Sequence, residues 1–172
     1  MNPELQSLFS RLEHERQKLM AEVSRVSAER YAMNTRGKWS IGQILTHMLT
    51  VERLSLTYMK KKALGIDQLK NSGWLEWLKL AFLKVSQRLP IKYSAPKVVV
   101  QHTPETLSPN DLEAQWSAFR QELKAFLESI EEKNLRKKIY KHATVGRFDV
   151  FQALAFLREH YHHHLPQIKR LL

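Results

Sequence analysis

Apolar residues recur every three or four positions along four stretches of the chain, and this spacing predicts four long amphipathic helices. The predicted helices run from about Asn2 to Ser27, from Ser40 to about Lys62, from Ser108 to about Ile130, and from near Asp149 to the C-terminus. A break at Asn34–Gly37 separates the first helix from the second. Most of the chain is therefore expected to be helical.

Local signals support the starts of the last three helices. Ser40 is followed three residues later by Gln43, and Asp149 by Gln152. In such a capping box the two side chains bond backbone N–H groups that have no partner inside the helix. Pro109 suits the first position of the third helix, where a missing N–H costs nothing.

The stretch from Ala63 to Leu107 is the least regular part of the chain. Within it, Gly73 to Leu89 has a helical pattern with Lys79 and Ser86 on one side. The opposite, apolar side consists of Trp74, Trp77, Leu78, Phe82 and Val85. The remainder contains Pro90, Pro96 and Pro104, and Lys97 to Gln101 is predicted to be extended. Tryptophans beside lysines suit a membrane surface, although such a segment more often covers the end of a bundle or forms a dimer contact.

Four amphipathic helices of this length pack most simply as a four-helix bundle. We therefore predict an all-α fold, a single domain over residues 1–172, with a long, partly helical connection between helices 2 and 3. A connection of that length permits a crossover, so parallel neighbouring helices are possible beside a simple up-down order. The low glycine and proline counts, 5 and 6, favour long helices over a sandwich or barrel.

Composition and charge narrow the chemistry. Cysteine is absent, which excludes disulfides, thiolate ligands and a cysteine nucleophile. There is no apolar signal core and no stretch long enough to span a bilayer, so we expect a cytoplasmic protein. The formal net charge of +11 favours anionic partners such as nucleic acid, acidic lipid or a charged small substrate. The basic residues are scattered, however, with only short runs at Lys60–Lys62 and Arg136–Lys138, which is more typical of a solvated surface.

Histidines are the strongest chemical signal. His160 and His164 are four positions apart in the last helix, so both side chains lie on one face and can converge on one metal ion. An H-x-x-x-H pair alone arises often by chance. His47 is a candidate third ligand, because it lies at the edge of the apolar face of the second helix. In helix bundles, metal ions are bound by side chains from helices that face each other.

The remaining histidines have weaker claims. His162 is predicted to point well away from the apolar face, and His163 lies further round toward solvent. His14 and His102 are interpreted as surface or loop residues, and His142, in the basic connection, as structural.

Two motifs resemble those of a known family, the DinB/YfiT-like proteins, which are named after a DNA-damage-inducible gene. The segment Trp39–His47 is similar to that family's W-S-[IV]-x-[EQ]-[IVL]-[LV]-x-H opening of the second helix. The tail from His160 to Ile168 resembles the closing H-x-x-x-H-L-x-Q-I motif, and Gly146–Asp149 resembles the usual lead into the last helix. Pro166 lies inside the closing motif, where a kink of the final turn is expected.

The resemblance implies a four-helix bundle with one divalent metal, zinc or nickel, held by His47, His160 and His164. It also implies a metal-dependent hydrolase or a thiol-dependent S-transferase or isomerase. Three neutral imidazoles leave at least one coordination position open, as in catalytic sites. A water bound there, or a substrate thiol, would supply the nucleophile that a chain without cysteine lacks.

Two polar residues near the predicted ligands have open roles. Glu52 falls in the apolar stripe of the second helix, one turn past His47. A buried carboxylate needs a partner, so Glu52 is a catalytic or ligand-orienting group, a fourth metal ligand, part of a salt bridge inside the bundle, or a side chain that reaches solvent. Gln167 is one turn beyond His164 and either orients a ligand or caps the pocket.

The function predicted from the sequence is thus a metal-dependent enzyme acting on a small molecule, with an anionic thiol as one candidate substrate, in a homodimer. A basic helical protein that binds nucleic acid is one alternative, although no helix-turn-helix, zinc-finger or RNA-recognition signature is present. A bundle that binds metal without catalysis is the other.

Overall fold

The structure, a computed structural model, describes residues 1–34, 38–88 and 106–172, with side chains up to residue 86 in the second range. Its helices are α1 (Pro3–Val23), α2 (Ala28–Ala32), α3 (Ile41–Ala63), α4 (Trp74–Arg88), α5 (Pro109–Ser129) and α6 (Val150–Lys169). Single 3-10 turns lie at Ile66–Gln68 and Glu132–Asn134. Strands β1 (Tyr140–His142) and β2 (Gly146–Phe148) form an antiparallel pair with Lys141 opposite Arg147. The described chain is therefore mostly helical, with one small sheet.

The helix starts predicted from the sequence are confirmed. The Ser40 side chain accepts from the backbone N–H of Gln43, and the Gln43 side chain accepts from the backbone N–H of Ser40. Asp149 and Gln152 bond in the same reciprocal way. The Ser108 side chain accepts from the backbone N–H of Asp111, with proline at the first position of α5.

The first helix is shorter than predicted. It ends at Val23, and Ser27 then caps the separate short helix α2 by accepting from the backbone N–H of Arg30. Apolar spacing could not show this, because Val26 continues the stripe across the break. The final helix continues through Pro166 to Lys169.

Some sequence predictions lie outside the described residues. These are the part of the first break at residues 35–37, the prolines at 90, 96 and 104, the extended segment at 97–101, and His102.

Ion pairs between helices give the directions of the long helices. Glu15 pairs with Arg158 and Glu22 with Lys169, so α1 and α6 run in the same direction. Against α5 the order reverses, because Arg16 of α1 pairs with Glu113 and the earlier Glu13 with the later Arg120.

The second long helix, α3, runs parallel to α5. The Glu52 carboxylate of α3 accepts from Trp116, and eight residues later Lys60 pairs with Glu122. The four long helices therefore run up, down, down and up in chain order. Each packs against two others: α1 and α3 both pack against α5 and α6. The parallel neighbours that the long connection permits are present.

The core lies between these helices. Its largest fully buried side chains include Leu5, Leu12, Ile41, Met48, Leu112, Trp116 and Phe148. Helix α2 packs against α3 at Gly42, where an added Cβ would collide with the Tyr31 ring and with Thr106. The Tyr31 hydroxyl donates to the Leu107 carbonyl, which holds the chain entering α5 against the start of α3.

Helix α4 packs on the outside of the molecule against α6. The residues it buries are Leu80, Leu83 and Glu76, whereas the apolar side recognised in the sequence faces outward. Among residues 1–34, 38–88 and 106–172, no helix has the length and hydropathy needed to cross a bilayer.

Candidate metal centre

The three histidines predicted to bind metal converge between α3 and α6. His47, His160 and His164 each have a ring nitrogen that lies within 4.8 Å of the corresponding nitrogen of the other two. We refer to them as the histidine cluster. His47 and His164 are buried, with 4% and 7% of their surface exposed, and His160 is half-buried.

Local sequence explains this placement. The capping box fixes the start of α3, which puts His47 in the second turn on the side shared with the buried Ile44. In α6 the spacing of four places His160 and His164 one above the other. Because α3 and α6 run in opposite directions, the beginning of α3 meets the later turns of α6.

The separation of two ligand atoms suits a small divalent ion. The Nε2 atoms of His160 and His164 are 3.1 Å apart. Two nitrogens bound to zinc at about 2.05 Å would be about 2.9 Å apart at a right angle and about 3.3 Å apart at the tetrahedral angle. The observed distance lies between these values, so both imidazoles can bind one ion with little movement.

Gln167 contacts the ring nitrogen of His164 that faces away from His160. Its Oε1 lies 3.2 Å from Nδ1 of His164. A carboxamide oxygen only accepts, so Nδ1 carries the hydrogen and donates, and the lone pair is on Nε2, which faces His160. This contact is the one that a ligand-orienting Gln167 would make, and that role stays a prediction.

His47 also has an unsatisfied polar atom. Its Nδ1 is buried and has no hydrogen-bond partner within the described part of the chain. Leaving a polar atom buried without a partner is costly. A metal ion bound to this nitrogen would give it a partner and offset that cost, so the residues present fit a divalent cation.

The surroundings of the histidine cluster lower the pKa of all three imidazoles. Burial lowers the pKa of His47 to about 4, with a smaller contribution from the charge of His163. Burial likewise lowers the pKa of His164 to about 3, helped by His47 and His163. The pKa of His160 is also well below its usual value because of burial and its histidine neighbours. Neutral imidazoles at physiological pH are the form that binds metal.

Aromatic rings border the histidine cluster. The Trp39 ring lies 5.0 Å from that of His47, and the Phe156 ring lies 5.9 Å from that of His160. His142 of β1 packs edge-on against Phe156, at 4.6 Å. Its Nδ1 accepts from the backbone N–H groups of Thr144 and Val145, which agrees with its interpretation as structural.

Sequence reasoning did not assign Trp39 or Phe156 a place beside the ligands. Trp39 was visible only as part of the W-S motif, whose first residue precedes the helix. The contact between Phe156 and His160 follows the spacing of four on α6, but this spacing also marks ordinary core positions.

The Glu52 carboxylate is turned toward α5 and not grouped with the histidine cluster. One oxygen accepts from Trp116 Nε1 at 2.9 Å and the other from Arg120 Nη2 at 2.9 Å. Only 3% of Glu52 is exposed, and Arg120 also pairs with Glu13 of α1. The contacts describe a salt bridge inside the protein, and a catalytic role for Glu52 stays a prediction.

The other histidines of α6 lie outside the predicted ligand set. His162 points to α1, as predicted, where its Nε2 lies 3.4 Å from a carboxylate oxygen of Glu15. His163 was predicted to lie toward solvent but is half-buried, and its ring lies 5.0 Å from that of His164. His14 is exposed.

Comparison with known families agrees with this arrangement. The sequence profile of the DinB superfamily matches residues 11–168, which include most of each of the four long helices and all three clustered histidines. The chain belongs to the DinB superfamily. No curated protein and no solved structure matches it.

Proposed function

We propose that this protein is a metal-dependent enzyme in which His47, His160 and His164 hold one divalent ion, zinc or nickel. Its reaction is of the hydrolase or thiol S-transferase type on a small molecule. The observation that carries the proposal is the convergence of three buried or half-buried imidazoles from two helices. When bound, the ion would lower the pKa of a coordinated water or thiol and so supply a nucleophile.

The scaffold in the proposal is a four-helix bundle made by α1, α3, α5 and α6. Its support is the pairing of each long helix with two others. In bundles, ligand and metal sites are built from side chains on facing helices, as His47 faces the two histidines of α6 here.

The chain's own residues have three tasks in this proposal. Gln167 keeps the lone pair of His164 on Nε2 through its bond to Nδ1. Burial keeps the three imidazoles unprotonated at neutral pH. Trp39 and Phe156 place apolar rings beside His47 and His160, which limits the access of water to the ligand atoms.

The composition supports an external nucleophile and an anionic substrate. The chain has no cysteine, so a sulfur nucleophile would have to come from a small thiol. The net charge of +11 would attract a thiol or other substrate that carries carboxylates.

Metal analysis of protein purified without a histidine tag tests the first part of the proposal. We expect about one divalent ion per chain, and the loss of most of it in His160→Ala. His162→Ala is the matched control, because His162 lies on the same helix but faces Glu15. Full metal occupancy in His160→Ala would overturn the ligand assignment.

Activity tests the second part. A panel of esters, amides, and small thiols with electrophiles should reveal turnover that is lost with the metal and restored when it is added back. A crystal structure should show a water or buffer ion as the remaining ligand. A metal enclosed by four protein side chains would end the catalytic proposal and favour a bundle that only binds metal.

A further inference from the structure

The apolar face of α4 is turned to solvent. Trp74, Trp77 and Phe82 are 70%, 47% and 68% exposed. Together with Leu75, Leu78 and Val85 they form what we call the outer face of α4. At about 100° per residue, these six side chains occupy a continuous arc of about 160°. Monomeric soluble proteins rarely leave a contiguous apolar surface of this kind without a partner.

The orientation of α4 is fixed by contacts on its inner side. Leu80 and Leu83 are 1% and 5% exposed, and α4 packs against α6. Glu76 caps the start of the helix by accepting from the backbone N–H of Gly73, and it pairs with Lys138 at 2.8 Å. Rotating α4 to bury the outer face would expose these leucines and break the ion pair.

The margins of the outer face are positively charged. Lys79 and Lys84 fall on opposite sides of the apolar arc. The Lys79 side chain is 47% exposed and its ammonium lies 3.9 Å from the Glu76 carboxylate, and Lys84 is half-buried. Glu76, the one acidic residue of α4, points inward to Lys138. An apolar face with tryptophans and phenylalanine, bordered by lysines, is the pattern of a helix that lies in a membrane interface.

Charge favours an anionic lipid surface over a second copy of the chain as the partner of the outer face of α4. In a symmetric dimer through α4, the lysines that border one copy would lie near those that border the other. Glu76 is already shared between Lys79 and Lys138, and α4 has no further acidic side chain to compensate for them. A surface of anionic lipid headgroups would instead neutralise them, and the net charge of +11 adds long-range attraction.

We propose that α4 docks the protein on membranes that contain anionic lipid, with the outer face inserted among the acyl chains and Lys79 and Lys84 at the headgroups. The helix lies in the plane of the interface and does not cross it, in agreement with its length of 15 residues. This inference does not depend on the metal at the histidine cluster.

Vesicle co-sedimentation tests the proposal with the full chain. We expect binding to vesicles of phosphatidylcholine containing about one third phosphatidylserine, and binding weaker by about tenfold or more to phosphatidylcholine alone. Added salt should weaken binding to the vesicles that contain phosphatidylserine. Tryptophan emission should shift to shorter wavelength on binding, because Trp74 and Trp77 leave water. Equal binding to both kinds of vesicle, or none to either, would overturn the proposal.

Two variants and a control locate the surface. Trp74→Ser with Phe82→Ser should abolish binding, and Lys79→Gln with Lys84→Gln should reduce the preference for anionic lipid. Met33→Ser is the matched control, because Met33 is 49% exposed but lies just after α2. Unchanged circular dichroism and metal content would show that each variant is folded. A dimer in sedimentation equilibrium that Trp74→Ser with Phe82→Ser dissociates, without vesicle binding by the parent, would assign the face to a second copy instead.

Discussion

A buried imidazole binds a metal ion only in its neutral form, so the same burial that costs the protein stability in acid prepares the histidine cluster for metal. The pKa of His47 is lowered to about 4 and that of His164 to about 3. In the unfolded chain both groups take up a proton near pH 6.5. Between these values the unfolded state binds more protons than the folded state, so acid favours unfolding.

For the metal-free protein we therefore expect these histidines to leave the free energy of unfolding unchanged above about pH 6.5 and to lower it as the pH decreases toward about 4. Each histidine contributes a slope of about 1.4 kcal/mol per pH unit in that window. Urea unfolding of chelator-treated protein at several pH values measures it. His164→Gln should reduce the slope by one such step, and an unchanged slope in that variant would show that His164 is not held neutral.

Gln167 offers a second test at the scale of one side chain. Gln167→Ala removes the acceptor that holds Nδ1–H of His164, so metal affinity should fall by about tenfold with the fold intact. Gln167→Glu keeps an acceptor oxygen and should retain the affinity of the parent. Competition with a chromogenic chelator measures both. Equal loss in the two variants would mean that the side chain acts through packing and not through the hydrogen bond.

At the scale of helices, the Glu52 contacts tie α3 to α5. Glu52→Gln should lower the free energy of unfolding by about 2 kcal/mol, because Arg120 and Trp116 lose a charged acceptor in a buried position. Metal content should not change. The control is Glu122→Gln, which breaks the exposed pair with Lys60 and should cost about 0.5 kcal/mol or less. Loss of metal or turnover without loss of stability would give Glu52 the ligand or catalytic role.

The same elements show how far the sequence predicts the fold. Helix starts followed directly from local chemistry, since the side chains of Ser40 and Asp149 act on backbone groups only three residues away. The end of α1 could not be predicted in this way, because the apolar spacing continues past Val23 into α2. The strands β1 and β2 were missed, since segments of three residues are too short to show a period of two.

The candidate site was predictable for a related reason. His160 and His164 are brought together by helical spacing alone, whereas His47 needed a motif, because its contact with α6 depends on packing. The sequence did not predict the partner of Glu52 for the same reason, because Arg120 is 68 residues away in the chain and the contact depends on packing. The orientation of α4 was unpredictable because both of its sides carry apolar residues, and only packing against α6 decides which side is buried.

At the scale of the whole molecule, the main electrostatic property is the net charge of +11, although several cationic side chains are paired with nearby carboxylates. Arg16, Arg120 and Arg158 are engaged by carboxylates in interhelical pairs, and Lys60 and Lys138 by Glu122 and Glu76. The cations that remain are distributed along the chain, and the family resemblance implies no nucleic-acid motif. This arrangement favours loose attraction of anions over recognition of a particular sequence.

We therefore expect DNA binding to be weak and insensitive to sequence, with dissociation constants of about 1 µM or higher at physiological salt. Binding through scattered phosphate contacts releases counterions, so the logarithm of the affinity should fall linearly with the logarithm of the salt concentration. Fluorescence anisotropy with two unrelated duplexes across a salt series measures both properties. The two duplexes should give superimposable curves, and His160→Ala should not alter them, because the ligand histidines are not phosphate contacts. Tight binding that distinguishes the duplexes at physiological salt would reverse the ranking of functions and make nucleic acid, and not a small molecule, the principal partner.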